Sequence, residues 1–408
     1  MMKIVKLIAL GCLGFVGVFF LVFLFRPHDP TKADFIQDYL MARAILDGRN
    51  PYSSLDVLGP EYGFNVQLPS HPSPHPPTFA VLSVPLGLFS YRTASLIWLL
   101  FCLASLLTSL HFLLKLKWAE LIYAFIVLIA WYPIHTDLKV GQLMTLMLLF
   151  FTLAWLVLRA GRDVPGGVFV GLALSVKLIA WPLVIYLLLK RRFRAFVSAL
   201  AVFSAANLAA ALIIGYRTVL FYYSHIGGVI ASYYRSDPYN FSMFSIGDRL
   251  FSGTNAIFMN LQTTPLVYSP QLAVWFSALC ALVLCAVVLY ATLRVPFDEA
   301  FGVLICAAII LSPVSWWFYY APLLVAMKIA WDSGRLFSKI ACVTALVAPY
   351  IPRLTQAALG TSLTFWPGLF MLAPLFGVVL LVMHYSDKGS IGSPYSPPQS
   401  KASLPPCQ

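Results

Sequence analysis

The stretch that decides the fold follows the first hydrophobic run, and residues 33–52 are ADFIQDYLMARAILDGRNPY. The chain continues through a Pro- and His-rich segment, HPSPHPP, at residues 71–77. Apolar residues recur at helical spacing over 33–47, which predicts a helix there. A polar segment of this size next to long apolar runs indicates a folded outer loop, 26–91, carried by a membrane-embedded body.

The composition excludes an ordinary soluble domain. Hydrophobic residues make up 60% of the chain and charged residues only 10%, with a mean hydropathy of +0.84, whereas soluble domains carry about 25% charged residues. We therefore predict an all-α polytopic membrane protein with about twelve helical membrane segments, several of which reach the roughly 20 residues that cross a bilayer. The predicted segments are 4–25, 92–114, 119–134, 141–158, 165–177, 178–189, 195–214, 271–293, 300–312, 316–330, 340–352 and 363–384. Residues 1–385 form one transmembrane domain, and the Ser- and Pro-rich residues 386–408 are predicted to be a disordered cytoplasmic tail.

The distribution of charge predicts the orientation of the chain. The net charge is +12, and most of the Lys and Arg residues fall in alternate loops while the acidic residues lean to the opposite side. This is the pattern of the positive-inside rule, so it places both termini in the cytoplasm and loop 26–91 outside the cytoplasmic (inner) membrane. The excess of basic residues is therefore a topology signal, and no nucleic-acid partner is expected.

Two segments do not fit simple spans. Residues 165–189 are flanked by basic residues at both ends, and they predict two short helices that meet near Lys177, deep in the membrane. Broken backbone at that depth is tolerated only where protein or a wet cavity covers it. The apolar run 78–90 is short for a span, and we predict a re-entrant or surface-lying helix. Whether either segment fully crosses the membrane stays open.

Two acidic residues in the predicted outer helix are candidates for chemistry. Asp34 would lie just outside the bilayer, where a carboxylate can stay ionised, although a plain helix N-cap is an equally good interpretation of an isolated Asp. Asp38 lies four residues on and shares its face. Further polar clusters are predicted on the same side of the membrane, and they could line a common cavity with Asp34. These clusters lie at residues 135–142, 238–242 with 248–249, 312–317 and 352–353.

The order of these segments resembles glycosyltransferase family 87, whose members are membrane enzymes of the GT-C superfamily. The resemblance covers roughly residues 30–330. It rests on Asp34-Phe35 leading to Gly48-Arg49-Asn50-Pro51-Tyr52, the Pro76-Pro77 entry to the run ending at Pro85-Leu86, Gly141-Gln142, Gly167 through Gly171 to Lys177, Asn240 with Ser242 and Arg249, and Ser312-Pro313-Val314-Ser315-Trp316.

The resemblance implies a hexosyl- or pentosyltransferase that takes a sugar from a polyprenyl-phosphate donor and gives it to a glycan or glycolipid acceptor at the lipid surface. It places the catalytic carboxylate at Asp34, and Gln142, Asn240 and Ser242 among the donor-binding residues. The chain has Met144 where many relatives carry Asn, and residues 317–320, just after Trp316, include no His. The identity of the sugar, mannose included, is therefore left open.

The chemistry of such a transfer fits these residue types. A phosphate leaving group needs charge stabilisation, while one carboxylate can take the proton of the attacking hydroxyl as general base. A base on one face and the leaving group on the other predict inversion at the anomeric carbon. Lys177, Lys139 and Arg249 are the candidate phosphate partners, in that order. Lys177 could instead snorkel to an interface, and Arg249 could simply form a loop ion pair with Asp248.

Five further residues are also candidates for the site. Asp38 and Asp137 are secondary acidic candidates. Trp316, Tyr319 and Tyr320 could stack on a sugar, although an interfacial aromatic belt explains them equally well. The histidines near these segments are dispersed, so the sequence predicts neither a metal site nor a cofactor. These histidines are His71, His75 and His135.

Other classes of membrane protein remain possible from the residues alone. A transporter or lipid-linked-sugar flippase would show broken helices in both halves, whereas only the first half has such a break, near Lys177. A non-catalytic scaffold would leave Lys177 and the acidic outer loop without explanation. The transferase hypothesis is the one that uses both features.

The predicted orientation can be tested by cysteine labelling in a variant that lacks the native cysteines. A single cysteine at Ser54 should react with an impermeant maleimide in intact cells, because loop 26–91 is predicted to lie outside. A cysteine at Lys115 should react only after permeabilisation. The reverse pattern would overturn the predicted topology and move Asp34 to the cytoplasm.

Overall fold

The structure is a computed structural model that describes residues 2–26, 34–255, 262–263, 265–333 and 336–350. Its helices are α1 (Met2–Leu24), α2 (Phe35–Leu46), α3 (Leu55–Glu61), α4 (Pro77–Ser83), α5 (Tyr91–Leu114), α6 (Trp118–Ile129), α7 (Tyr132–Val140), α8 (Met144–Arg159), α9 (Asp163–Val176), α10 (Trp181–Leu189), α11 (Phe193–Ile214), α12 (Tyr216–Phe221), α13 (Gly227–Tyr234), α14 (Pro270–Arg294), α15 (Phe297–Ile310), α16 (Leu323–Asp332) and α17 (Leu336–Val347). Two two-residue strands, β1 (Thr254–Asn255) and β2 (Gln262–Thr263), pair antiparallel. The predicted segment 363–384 and the tail 386–408 lie outside the described residues.

The all-helical class predicted from the sequence is confirmed, and each predicted segment other than 363–384 overlaps a helix. Among the described helices, α5, α11 and α14 are long and apolar enough to cross a membrane alone, and α6 with α7 passes the same test as a pair bent by 77°. Helices α8, α9 and the residues 178–189 are apolar but shorter. The number of twelve spans therefore stays a prediction.

Two predicted segments have different limits in the structure. The segment 119–134 ends early, because α6 stops at Ile129 and the chain turns into α7 just before Pro133. The segment 316–330 starts late, because Trp317–Tyr320 form a 3-10 turn and α16 begins only at Leu323, after Pro322. In both places a proline near the start of a helix accompanies the change of direction. The 3-10 turn Trp317–Tyr320 carries Tyr319, which contacts Lys177 in the candidate site described below.

Glycines allow the helices behind the site to pack closely. Helix α9 lies against α11, and a Cβ at Gly167 or Gly171 would overlap the backbone carbonyl oxygens of Ala195 or Ala199. Small residues at such contacts let helix backbones approach, as is common between membrane helices. The close packing fixes the end of α9, at which Lys177 lies.

Residues 34–90 of the predicted outer loop fold onto the apolar helices as a compact unit. Helix α2 is buried over most of its length and packs against α3, α4, the start of α5 and the 3-10 segment Val84–Leu88. The predicted helix at 78–90 is thus present as α4 followed by that 3-10 segment. Gly87 lies so close to α2 that a Cβ there would come 3.1 Å from the backbone of Ala42. This packing fixes the N-terminus of α2, where Asp34 is found.

Candidate active site

Asp34 occupies the N-cap position of α2, but its side chain does not cap the helix. Its Oδ2 instead accepts a hydrogen bond of 2.7 Å from Nε2 of Gln142, a residue 108 positions away. A capping role would use the amides of the first helical turn, so the bond to Gln142 points away from the plain N-cap interpretation. Asp34 is directed towards the membrane helices.

A tight turn between α7 and α8 brings Gln142 to this position. Gly141 ends α7 with a left-handed φ of +76°, and a Cβ there would lie 2.6 Å from Cβ of Phe35. Only glycine adopts this conformation without strain at such a close approach. The turn is held by Trp98, whose indole Nε1 donates to the carbonyl oxygen of Gly141 over 2.9 Å. The ring of Trp98 also stacks on Phe35, with centroids 6.2 Å apart.

Lys177 approaches the same glutamine from the opposite side. Its backbone is extended where α9 ends, which is the break predicted from the sequence, and its side chain is 8% exposed. Nζ donates to Oε1 of Gln142 over 3.4 Å and lies 4.0 Å from the centroid of the Tyr319 ring. One amide therefore bridges the carboxylate of Asp34 and the ammonium of Lys177, and Tyr319 covers the cation.

Opposing effects act on the pKa of Asp34. The carboxylate keeps some accessible surface but is densely surrounded by protein, and this desolvation raises its pKa above the usual value. The hydrogen bond from Gln142 acts in the opposite direction, as do the charges of His75 and Lys177. Desolvation outweighs these three effects, so the pKa of Asp34 is raised and its carboxylate is more basic than that of an exposed Asp.

Asp38 lies one turn further along α2 and is buried. Its Oδ1 lies 2.5 Å from Nδ1 of His75, and both side chains are at most 2% exposed. The sequence suggests for His75 only a role as a metal ligand and does not predict its pairing with Asp38. The one feature of the sequence that indicates a fixed position for His75 is the proline on each side of it, because these prolines restrict the backbone of a residue that would otherwise lie in a loop.

Asp137 lies in the last turn of α7, where it has a structural role. Its Oδ1 and Oδ2 accept hydrogen bonds from the backbone amides of Met144 and Thr145, each over 3.0 Å. These amides belong to the first turn of α8, so Asp137 caps that helix. Both oxygens are occupied, which leaves Asp137 less suited to proton transfer than Asp34.

Asn240 and Ser242 fasten the segment after α13 to the turn before α16. The side chain of Asn240 accepts from the backbone amides of Ser242 and Ser315 and donates to the carbonyl oxygen of Pro313. Ser242 donates to the carbonyl oxygen of Ser312 over 2.5 Å. Both residues are buried, and these bonds hold in place the turn that carries Tyr319.

The predicted ion pair between Arg249 and Asp248 is wrong. Asp248 pairs with Arg235 at 2.7 Å, whereas the guanidinium of Arg249 donates to the backbone carbonyl oxygens of Pro238 and Asn240. Neighbours in sequence at 248 and 249 point in different directions within a single helical turn. Burial lowers the pKa of Arg249 to about 10. The described contacts of Arg249 join it to this segment and not to Asp34.

The other candidates lie apart from the Asp34–Gln142–Lys177 contacts. Lys139 is exposed, with Nζ 5.4 Å from the ring centroid of Phe23. Trp316 packs edge-on against Tyr234, with centroids 5.4 Å apart. Tyr320 is 1% exposed and belongs to the hydrophobic core. The structure therefore groups Asp34, Gln142, Lys177 and Tyr319, with the Asp38–His75 pair beside them.

The sequence model of glycosyltransferase family 87 matches residues 74–313, more than half of the chain. The chain belongs to glycosyltransferase family 87. Neither a curated protein nor a solved structure matches it. This family 87 protein is accordingly a membrane glycosyltransferase, in agreement with its apolar helices.

The matched range includes only part of the site of this family 87 enzyme. His75, Gln142 and Lys177 lie within it, whereas Asp34 and Tyr319 lie outside it. The structure connects Asp34 to the matched region, because Gln142, which lies inside that region, donates a hydrogen bond directly to Asp34. Within the described residues no group of three or more His, Cys, Asp or Glu side chains is arranged to hold a metal ion.

The bond from Gln142 can be tested through the pH dependence of transfer. The sequence predicts Asp34 as the general base, which works only when ionised, so the rate should fall as the pH drops through the raised pKa of Asp34. Gln142→Leu removes the hydrogen bond that lowers this pKa, and the acid limb of the pH–rate profile should move to higher pH. Gln67→Leu, at an exposed position in the outer loop, serves as the control with an unchanged limb. An unchanged or lower limb for Gln142→Leu would contradict this account of Asp34.

Proposed function

We propose that this family 87 enzyme transfers a sugar from a polyprenyl-phosphate monosaccharide to an acceptor hydroxyl of a glycan or glycolipid. The reaction would take place on the outer face of the cytoplasmic membrane and invert the anomeric carbon. The observation that carries the proposal is the bridge Asp34–Gln142–Lys177, which holds a base and a cation on the two ends of one amide. Transfer to a hydroxyl from a phosphate needs one group of each kind.

Asp34 supplies the base. It takes the proton of the acceptor hydroxyl while the oxygen of that hydroxyl bonds to the anomeric carbon. The raised pKa favours proton uptake, and the hydrogen bond from Gln142 fixes which oxygen of the carboxylate is occupied. Oδ1 is then the oxygen that can face the substrate. Attack from this face as the phosphate leaves from the other gives inversion.

Lys177 supplies the charge for the leaving group. As the bond from the anomeric carbon to the phosphate oxygen breaks, its electron pair goes to the phosphate, which a nearby ammonium stabilises. A buried ionisable residue at the end of a broken helix is typical of a functional position in a membrane protein. The ring of Tyr319 partly satisfies the cation in the absence of substrate, so the phosphate would find the ammonium in place.

The geometry also favours a lipid-linked donor over a soluble one. The bridge joins the outer loop to the ends of apolar helices, next to which a prenyl chain could lie. Nucleotide sugars are made in the cytoplasm, on the side opposite to the proposed site. Membership of a glycosyltransferase family, together with the bridge, favours a transferase over the transporter that the residues alone had left possible.

The role of Asp34 is tested by Asp34→Asn, which keeps the size of the side chain and its hydrogen bond to Gln142 but cannot take up the proton. The transfer rate of the purified enzyme should fall by about 10²-fold or more, with an unchanged apparent melting temperature. Asp56→Asn, an exposed substitution in the same outer loop, should leave the rate near that of the wild type. Near-normal turnover by Asp34→Asn would assign the base to another residue.

The donor is tested by supplying the enzyme in lipid with polyprenyl-phosphate monosaccharides or with soluble nucleotide sugars. We expect transfer only from the former, since the proposed site faces the outer side. Lys177→Met keeps the bulk of the side chain but removes its charge, and it should raise the KM for the donor and lower kcat. Lys117→Met, at an exposed position, is the control. Turnover of a nucleotide sugar, or movement of a solute across vesicles without transfer, would overturn the proposal.

A further inference from the structure

The pair formed by Asp38 and His75 is the group of buried titratable residues next to the bridge that the mechanism above does not use. It joins α2 to the Pro- and His-rich segment of the outer loop at 71–77, with 2.5 Å between Oδ1 and Nδ1. Both side chains are at most 2% exposed. A buried contact between a carboxylate and an imidazole beside a candidate general base indicates a functional role for the pair.

The surroundings of His75 fix its imidazole in one orientation. The hydroxyl of Tyr52 donates to the backbone carbonyl oxygen of His75 over 2.9 Å, and that of Tyr222 donates to the carbonyl oxygen of Pro74 over 2.8 Å. The ring packs edge-on against Phe79, with centroids 5.4 Å apart. Prolines precede and follow His75 and restrict its backbone further. Hydrogen bonds and packing thus hold the ring against Asp38.

Each side chain of the pair also has one polar atom that is not hydrogen-bonded within the described part of the chain. Neither Nε2 of His75 nor Oδ2 of Asp38 has a hydrogen-bond partner among the described residues. Because Nδ1 faces the carboxylate, Nδ1 carries the proton of the neutral imidazole and Nε2 presents its lone pair. Buried polar atoms are almost always hydrogen-bonded, so an unpartnered Nε2 points to a transient partner.

Asp34 and the pair are close neighbours. Asp34 and Asp38 lie four residues apart at the start of α2, and hence on the same face one turn apart. His75 contacts Asp38, one turn along α2 from Asp34, and in its protonated form it lowers the pKa of Asp34 more than Lys177 does. The imidazole is thus placed to respond to the proton that Asp34 takes up.

We propose that His75, oriented by Asp38, is a positioning residue that acts through Asp34 by relieving it of the substrate proton. The inference rests on the proposed function. The arrangement follows the logic in which a carboxylate holds one ring nitrogen of a histidine so that the other can receive a proton. Here the carboxylate is Asp38, the held nitrogen is Nδ1, and the receiving nitrogen is Nε2.

The proton balance of the step is complete. The acceptor hydroxyl gives its proton to Asp34 as its oxygen bonds to the anomeric carbon, and the phosphate leaves with the electron pair of the broken bond. Protonated Asp34 then passes the proton to Nε2 of His75, which becomes an imidazolium stabilised by the carboxylate of Asp38. Asp34 is ionised again, and the imidazolium loses the proton to water after the product has left.

The test uses His75→Asn in the full-length enzyme, because the amide nitrogen of Asn can replace Nδ1 as donor to Asp38 but offers no atom in place of Nε2. With an active polyprenyl-phosphate donor, kcat should fall by about 10-fold or more, while the donor KM and the apparent melting temperature stay near the wild-type values. His225→Asn, at an exposed histidine, should change none of the three. A purely structural role for His75 would instead leave kcat within about twofold, which would overturn the proposal.

A second variant keeps the test decisive if His75→Asn does not fold. Asp38→Asn can still accept the bond from Nδ1 but cannot stabilise the imidazolium, so kcat should again fall with an unchanged donor KM. A loss that appears only as a lower melting temperature or a raised KM would also overturn the proposal. Failure of the proposed function is distinguishable, because the wild type would then show no transfer from the polyprenyl-phosphate donor at all.

Discussion

The side-chain amide of Gln142 is the contact on which the rest of the site depends. It donates to Asp34 and accepts from Lys177, so it separates two opposite charges that would otherwise pair directly and leave neither available to substrate. An amide can do this because it carries a donor and an acceptor on the same plane. A direct ion pair would also be expensive to separate in a poorly hydrated site. The glycine turn at Gly141 and the indole of Trp98 therefore both position this amide.

Much of this arrangement could be predicted from the sequence. The apolar runs gave the helical class, since hydropathy over lengths near a bilayer thickness is a strong signal. Lys177 was recognised because a charge within an apolar segment next to glycines is unusual, and the structure places it at a broken helix. Asp34 was recognised through its position outside the first helix and through the family resemblance. The contact between the two through Gln142 could not be derived from spacing alone.

The remaining features depend on tertiary packing that no local pattern encodes. His75 and Asp38 are 37 positions apart, and nothing in either segment names the other as partner. The same holds for Asp248, whose partner is Arg235 and not its neighbour Arg249, because adjacent residues on a turn diverge in direction. The start of the helix that follows Tyr320 is also predicted wrongly. The apolar aromatic residues before it occur in a turn as readily as in a membrane-spanning helix, so their hydropathy does not mark where the helix begins.

The Asp34–Gln142 bond spans 108 residues, and Tyr319 adds a contribution from much later in the chain. Membrane proteins are made from the N-terminus onward, and their domains fold as the chain emerges. Asp34 therefore leaves the ribosome long before the residues that orient it, and the ring over Lys177 arrives last. The proposed site is consequently complete only after Tyr319 has been made, and a chain stopped before residue 319 would carry Asp34, Gln142 and Lys177 without the ring that covers the cation.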